Sequence, residues 1–261
     1  MPATILGIPF DRASSFMRGA AHGPSAIRRA LHSPSTNMWT ESLVDLGARD
    51  ALRDAGDVAL LDGDERTAIE SALLTLLRGG HSVIALGGDH SISYPLIRAT
   101  AKHRSPFAVL HFDAHPDLYP EFDGDRYSHA CPFARVMEEE LTGRLTQVGI
   151  RTMNGVQREQ ADRYEVEVID MQAWEEGHRP RISGPVYVSI DLDVFDPAHA
   201  PGVSHREPGG LRPRDVLNVL HQLEGPIVGA DIVELNPARD PTEITAPLAA
   251  KLVKELAVRM R

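Results

Sequence analysis

Phe107-Ala-Val-Leu-His-Phe112 runs without a break into Asp113-Ala-His-Pro-Asp117. An apolar run with little polar alternation suits a strand buried on both faces, and such strands belong to parallel sheets covered by helices. Residues 3–8, 82–86, 145–150, 166–170, 186–190 and 227–232 read the same way, and a further short strand is placed at 43–46 or 57–60. Helix-like stretches alternate with them at 24–31, 64–78, 91–103, 131–140, 155–164, 214–223 and 242–259. Pro24 suits a first helical position, and Asp64 and Ser91 are candidate N-caps. Residues 37–40 and 177–184 read as loops, and no repeat, linker or low-complexity tract divides the chain. The expectation is one α/β domain over residues 1–261.

Composition narrows the function. The chain has 261 residues, 42% of them hydrophobic, enough for one sizeable core. Its 37 acidic and 27 basic residues give a net charge of -10, which argues against nucleic acid and is compatible with a cationic substrate. Cys131 is the sole cysteine, so no intrachain disulfide and no thiolate zinc cluster can form. Residues 1–10 lack the basic start and long apolar stretch of a signal peptide, and no run approaches the roughly 18 apolar residues of a membrane helix. The sequence therefore points to the cytoplasm and away from a membrane.

Ligands of open parallel sheets sit at the carboxyl ends of the strands. Gly87-Gly-Asp-His-Ser91 follows one apolar run, Asp113-Ala-His-Pro-Asp117 a second, Asp191-Leu-Asp193 a third and Glu234 a fourth. Asp113, His115 and Asp117 are spaced by two, as are Asp191 and Asp193, so in extended chain each set projects to one side. Asp113, Asp117, Asp191 and Asp193 would repel one another without a cation, whereas two divalent ions balance four negative charges. His90 and His115 complete a set of six ligands. An oxygen-rich, thiolate-free set with two imidazoles favours Mn2+ over zinc or nickel.

These motifs resemble the ureohydrolases: arginases, agmatinases, formimidoylglutamases and related guanidino-acid hydrolases. The resemblance rests on the three segments above, the last extended as Ser189-Ile-Asp-Leu-Asp-Val-Phe-Asp-Pro-Ala198. It is reinforced by Asp231-Ile-Val-Glu-Leu-Asn-Pro237 and Gly23-Pro-Ser-Ala-Ile-Arg28. Ala200-Pro-Gly-Val203 and Glu207-Pro-Gly-Gly-Leu211 resemble the agmatinase-like branch. The resemblance implies a three-layer α/β/α fold around a parallel, roughly eight-stranded sheet, two Mn2+ ions per chain, and a homo-oligomer, trimer or hexamer. It implies one ion held by His90, Asp113, Asp117 and Asp191, the other by His115, Asp113, Asp191 and Asp193. It assigns proton transfer to His129 and the guanidinium contact to Glu234. A carboxylate suits a planar guanidinium, and the departing amine needs a proton donor.

Other residues receive humbler roles. His111 and Asp89 are expected to support the ligands or cap a helix, Asp196 to serve a turn, and Cys131 to lie in the core. Ala130 stands where the family has Gly, which would restrict the loop after His129. Residues 118–128 do not resemble the arginase loop for an α-amino acid, which favours agmatine, hydrolysed to putrescine and urea. Glu121, Asp123 and Asp125 could attract its ammonium, while His205 and Arg206 could instead pair with a carboxylate. Guanidino acids and formimidoylglutamate therefore stay open. So does a non-catalytic binding subunit of the same fold, although that would be expected to have lost ligands or Glu234.

Overall fold

The computed structural model describes residues 2–48 and 51–260. In chain order its main elements are β1 (Ala3–Gly7), α1 (Gly23–Leu31), β2 (Leu52–Asp57), α2 (Glu65–Arg78), β3 (Ser82–Leu86), α3 (Ser93–His103), β4 (Ala108–Phe112) and α4 (Pro132–Glu138). Then follow β5 (Arg144–Ile150), α5 (Gly155–Arg163), β6 (Glu167–Asp170), α6 (Met171–Glu175), β7 (Val186–Asp191), α7 (Pro213–Gln222), β8 (Ile227–Val233) and α8 (Thr245–Arg259). The strands form one eight-stranded sheet, ordered β2-β1-β3-β8-β7-β4-β5-β6, and every pair is parallel.

Alternation along the strands builds a core on each face. In β3, Ile84 and Leu86 join one apolar cluster with Ile27 of α1, Leu217 of α7 and Leu252 of α8. Val83 and Ala85 face the other cluster with Leu73 of α2, Leu96 of α3 and Phe133 of α4. Helices thus cover both faces, giving the three layers expected. Each buried aliphatic or aromatic side chain contributes roughly 1.5–3 kcal/mol, so the two cores hold the sheet rigid beneath its carboxyl edge.

The eighth strand lies at neither sequence position; β2 is Leu-Arg-Asp-Ala-Gly-Asp and mostly exposed. As an edge strand it pairs only with β1, and its acids are held by Arg28 of α1, which reaches Asp54 and Asp57. A polar edge strand carries no apolar signature and resists pairing with other chains. The short α6 was also unexpected, starting where Asp170 accepts the Ala173 N–H at 2.8 Å. Asp64 stands at the N-cap of α2 without making a side-chain cap bond. Ser91 is not a cap either: it lies in a 3-10 turn whose cap is Asp89. No helix among the described residues is long and apolar enough to cross a membrane.

The four strands β3, β8, β7 and β4 are consecutive in the middle of the sheet. Just beyond β3 the chain from Phe10 crosses so closely that a Cβ on Gly88 would stand 1.7 Å from the Phe10 carbonyl oxygen. Gly88→Ala should therefore lower stability by about 1–3 kcal/mol, read as a lower denaturant midpoint. An unchanged midpoint would contradict this close crossing.

Candidate metal centre and substrate pocket

Sheet register assembles the site. His111 of β4 pairs with Ser189 of β7, which pairs with Asp231 of β8, so the segments after these strands emerge side by side. His90 Nδ1 lies 3.1 Å from Asp113, 3.0 Å from Asp117 and 3.1 Å from Asp191. His115 Nδ1 lies 3.0 Å from Asp193 and 3.4 Å from Asp113. The six ligand positions thus meet in two groups that share Asp113. Backbone donors fix the acids: Asp113 accepts the His115 N–H at 2.6 Å, Asp191 the Asp193 N–H at 2.8 Å, and Asp193 the Ala114 N–H at 3.1 Å. Asp117 and Glu234 both adopt left-handed backbone, with φ of 50° and 65°. Such conformations cluster where structure serves a site.

The His90 tautomer tests whether these groups suit a metal. Asp231 accepts hydrogen bonds from the Tyr187 hydroxyl at 2.8 Å and the Ser189 hydroxyl at 2.6 Å. With its hydrogen committed, Ser189 Oγ accepts from His90 Nε2 at 3.0 Å. In the neutral ring that leaves the Nδ1 lone pair aimed at three carboxylates. Without a cation those same acids raise the imidazole well above its ordinary value despite burial, so positive charge is favoured at this point. A cation between them satisfies all four groups. Burial, then the charges of Asp193 and Asp113, push the Asp191 carboxyl well above the ordinary range, and burial pushes Asp193 up to about 6. Crowded acids of this kind are stabilised by positive charge. The donor set therefore fits divalent metal.

His111 does not offer a free nitrogen. Its Nε2 lies 2.8 Å from Asp113 and its Nδ1 accepts from Gln147 at 3.0 Å, so it steadies the carboxylate. Asp89 caps the 3-10 turn and Asp196 serves a turn by accepting the Ala198 and Gly209 N–H groups. Cys131 is buried, and burial pushes its thiol up to about 12, far from a reactive thiolate. Ala130 is not on left-handed backbone, so the absence of Gly costs nothing there.

Beside these aspartates and histidines, His129 Nδ1 lies 2.9 Å from Glu234 Oε1, which also accepts the His90 N–H at 2.9 Å. Burial alone would hold the His129 imidazole neutral, but the Glu234 bond and charge raise it to about 9. The same pairing outweighs burial at Glu234 and lowers its carboxyl. Both line a cavity of about 170 Å³ with His115, Asp117, Asp191 and Asp193. Larger cavities elsewhere contain none of these residues.

The structure does not bring Asp125 or Arg206 into that cavity. Asp125 is exposed and accepts the Tyr127 N–H at 2.8 Å within its own turn. Arg206 donates to the Pro201 and Arg239 carbonyls at 2.8 and 2.5 Å. Glu121 and Asp123 stay exposed as well. His205 does line the cavity, its ring 5.3 Å from that of His129. Sequence reasoning missed Ser15, Thr152 and Gln157 in the wall, and Glu207, 3.7 Å from His115 Nε2. It also missed the support that Ser189 and Asp231 give His90; Ser189 stands two before Asp191 and could have been found from the period-2 pattern.

The Arginase family profile matches residues 1–258. The chain belongs to the arginase family. It is 46% identical to "Arginase 1, mitochondrial" of Arabidopsis thaliana over 98% of this chain and 80% of that protein. It is 33% identical to the agmatinase of Bacillus subtilis (strain 168) over 97% of this chain and 90% of that one. The solved structure of arginase from Medicago truncatula superposes with a TM-score of 0.92 at 43% identity, covering 99% of this chain and 87% of the other. The chain is thus an arginase-family hydrolase of amidino C–N bonds, and the agmatinase-like branch expected from residues 200–211 gains no support from these identities. The mitochondrial relative likewise gives no support to a cytoplasmic compartment.

The His129–Glu234 pair has a pH signature. The folded imidazole value lies above the ordinary 6.5, so the pair's contribution is lost as pH rises through about 9. The lowered Glu234 carboxyl means that it is also lost in acid, as that carboxylate protonates. Histidine-resolved NMR of metal-free protein should show His129 titrating near 9. In Glu234→Gln the midpoint should fall markedly, because burial is then opposed only by the charges of Asp117 and Asp89. Equal midpoints in both proteins would contradict the pairing.

Proposed function

We propose that this arginase-family enzyme hydrolyses L-arginine to L-ornithine and urea at two Mn2+ ions. The observation that carries the reading is the His129–Glu234 pair set beside two histidine-carboxylate groups in one small cavity. His90, Asp113, Asp117 and Asp191 would hold one ion, and His115, Asp113, Asp191 and Asp193 the other. When bound, paired ions supply an activated, oriented water at neutral pH.

The chain's own groups supply the rest. Glu234 Oε1 is committed to His90 and His129, which leaves Oε2 to accept guanidinium N–H bonds. Its charge orients the planar group at the mouth of the donor set. His129, held protonated through neutral pH, can deliver a proton to the departing amine. All six ligand positions, His129 and Glu234 carry competent side chains, which speaks against a non-catalytic binding subunit.

Two observations favour arginine over agmatine. Identity to the Arabidopsis protein named arginase exceeds that to the Bacillus protein named agmatinase, 46% against 33%. Among the described residues, the cavity lining beyond the donor set and Glu234 holds no carboxylate for a lone ammonium tail, Glu207 standing outside it 3.7 Å from His115. It offers hydroxyl, amide and imidazole groups from Ser15, Thr152, Gln157 and His205. Such groups suit a zwitterionic α-amino acid, which carries no net charge. Agmatine remains the second reading, supported by the agmatinase-like segment at residues 200–211.

Urea release from arginine, agmatine and 4-guanidinobutyrate by Mn-loaded protein, with formamide release from formimidoylglutamate, tests the assignment. Arginine should have the highest kcat/KM, and a higher value for agmatine would overturn it. His129→Ala should cut turnover by roughly 10²–10⁴-fold with metal content unchanged; equal loss of metal would make His129 a ligand or a structural residue.

A further inference from the structure

Ser15 lies 114 positions before His129, and nothing in its sequence neighbourhood marks it. Its place is set from elsewhere. The Phe10 carbonyl accepts the Asp89 N–H at 2.8 Å, and the buried Asp89 carboxylate accepts the Ala13 N–H at 2.9 Å and the Ser14 hydroxyl at 3.3 Å. The Ala13 carbonyl in turn accepts the His129 N–H at 3.2 Å. Beyond Ser15, the Met17 carbonyl accepts the Ser204 hydroxyl at 2.7 Å and the Asn236 amide at 2.9 Å. The segment is tied down on both sides of Ser15, whose Oγ stands 2.8 Å from His129 Nε2 and faces the same cavity as Glu234.

The opposite ring nitrogen decides what that contact can do. Nδ1 faces Glu234 Oε1 at 2.9 Å, and an ionised carboxylate only accepts, so Nδ1 keeps its hydrogen whether the ring is charged or neutral. The proton that His129 gains or loses is therefore on Nε2. A hydroxyl can accept there and donate onward from the same oxygen.

We propose that the Ser15 hydroxyl is the immediate proton partner of His129, holding the imidazole in place and relaying its Nε2 proton to the leaving amine. The Nε2–H bond breaks as that proton joins Ser15 Oγ, while the Ser15 O–H proton passes to the amine nitrogen. The electron pair of the breaking C–N bond stays on that nitrogen. His129 ends neutral with its hydrogen on Nδ1, and Ser15 ends as a hydroxyl. Ser15 thus hands the proton to the substrate itself while also positioning His129 through the Nε2 contact.

This rests on the hydrolase reading, and urea release by the unaltered enzyme is established first; its absence would defeat that reading itself. Ser15→Ala and Ser15→Thr are then compared in Mn-loaded enzyme for kcat, KM, metal content and melting temperature. Ser15→Ala should lower kcat about 10- to 100-fold, a share of the usual general acid–base contribution, with KM, metal content and melting temperature near the parent values. Ser15→Thr keeps the hydroxyl and should recover most of kcat. A Ser15→Ala enzyme with parental kcat overturns the proposal. So does equal impairment of both variants, or loss of metal or melting temperature in Ser15→Ala, which would make the contact purely structural.

Discussion

Two like charges about 4 Å apart cost about 4 kcal/mol at an effective dielectric near 20, and this chain gathers four aspartates into one buried pocket. Asp113, Asp117 and Asp191 all approach one histidine nitrogen, and Asp193 stands beside a second. That repulsion must be countered locally, and much of the architecture answers it. Backbone N–H groups at the strand ends each hold an acid. Asp231, Ser189 and Tyr187, between β7 and β8, turn His90 so that its lone pair faces the acids. His111 and Gln147 hold Asp113 from behind. A rigid sheet packed on both faces keeps these groups from relaxing apart.

The same constraint explains what could be read from sequence. Central strands buried on both faces need unbroken apolar runs, so β3, β4, β7 and β8 and the acids after them stood out. The six ligand positions could be grouped because residues two apart in extended chain share a side. β2 could not be found that way: it lies at the edge, and its order comes from pairing with β1 and from Arg28. Asp125 and Arg206 show a different limit. Their charge suggested substrate contact, but hydrogen bonds to nearby backbone use those side chains, and sequence does not reveal such use.

The substrate side of the pocket is built differently from the metal side. Its parts come from distant segments, with Ser15 following β1 and His205 following β7. Asp89, expected only to cap or support, joins the two sides by capping the turn that carries His90 and anchoring the segment that carries Ser15. On the proposed reading, substrate preference and proton delivery would depend on the same loop placement as the candidate metal ligands.

The central claim is that converging aspartates and histidines form a two-cation site with shared carboxylates. Metal analysis of Mn-reconstituted, gel-filtered protein tests it most directly, with Asp191→Ala and Asp193→Ala beside the parent chain. The account gives two Mn2+ per parent chain, and a greater loss in Asp191→Ala than in Asp193→Ala, since Asp191 would serve both ions. One ion or none in the parent, or full retention in Asp191→Ala, would contradict it.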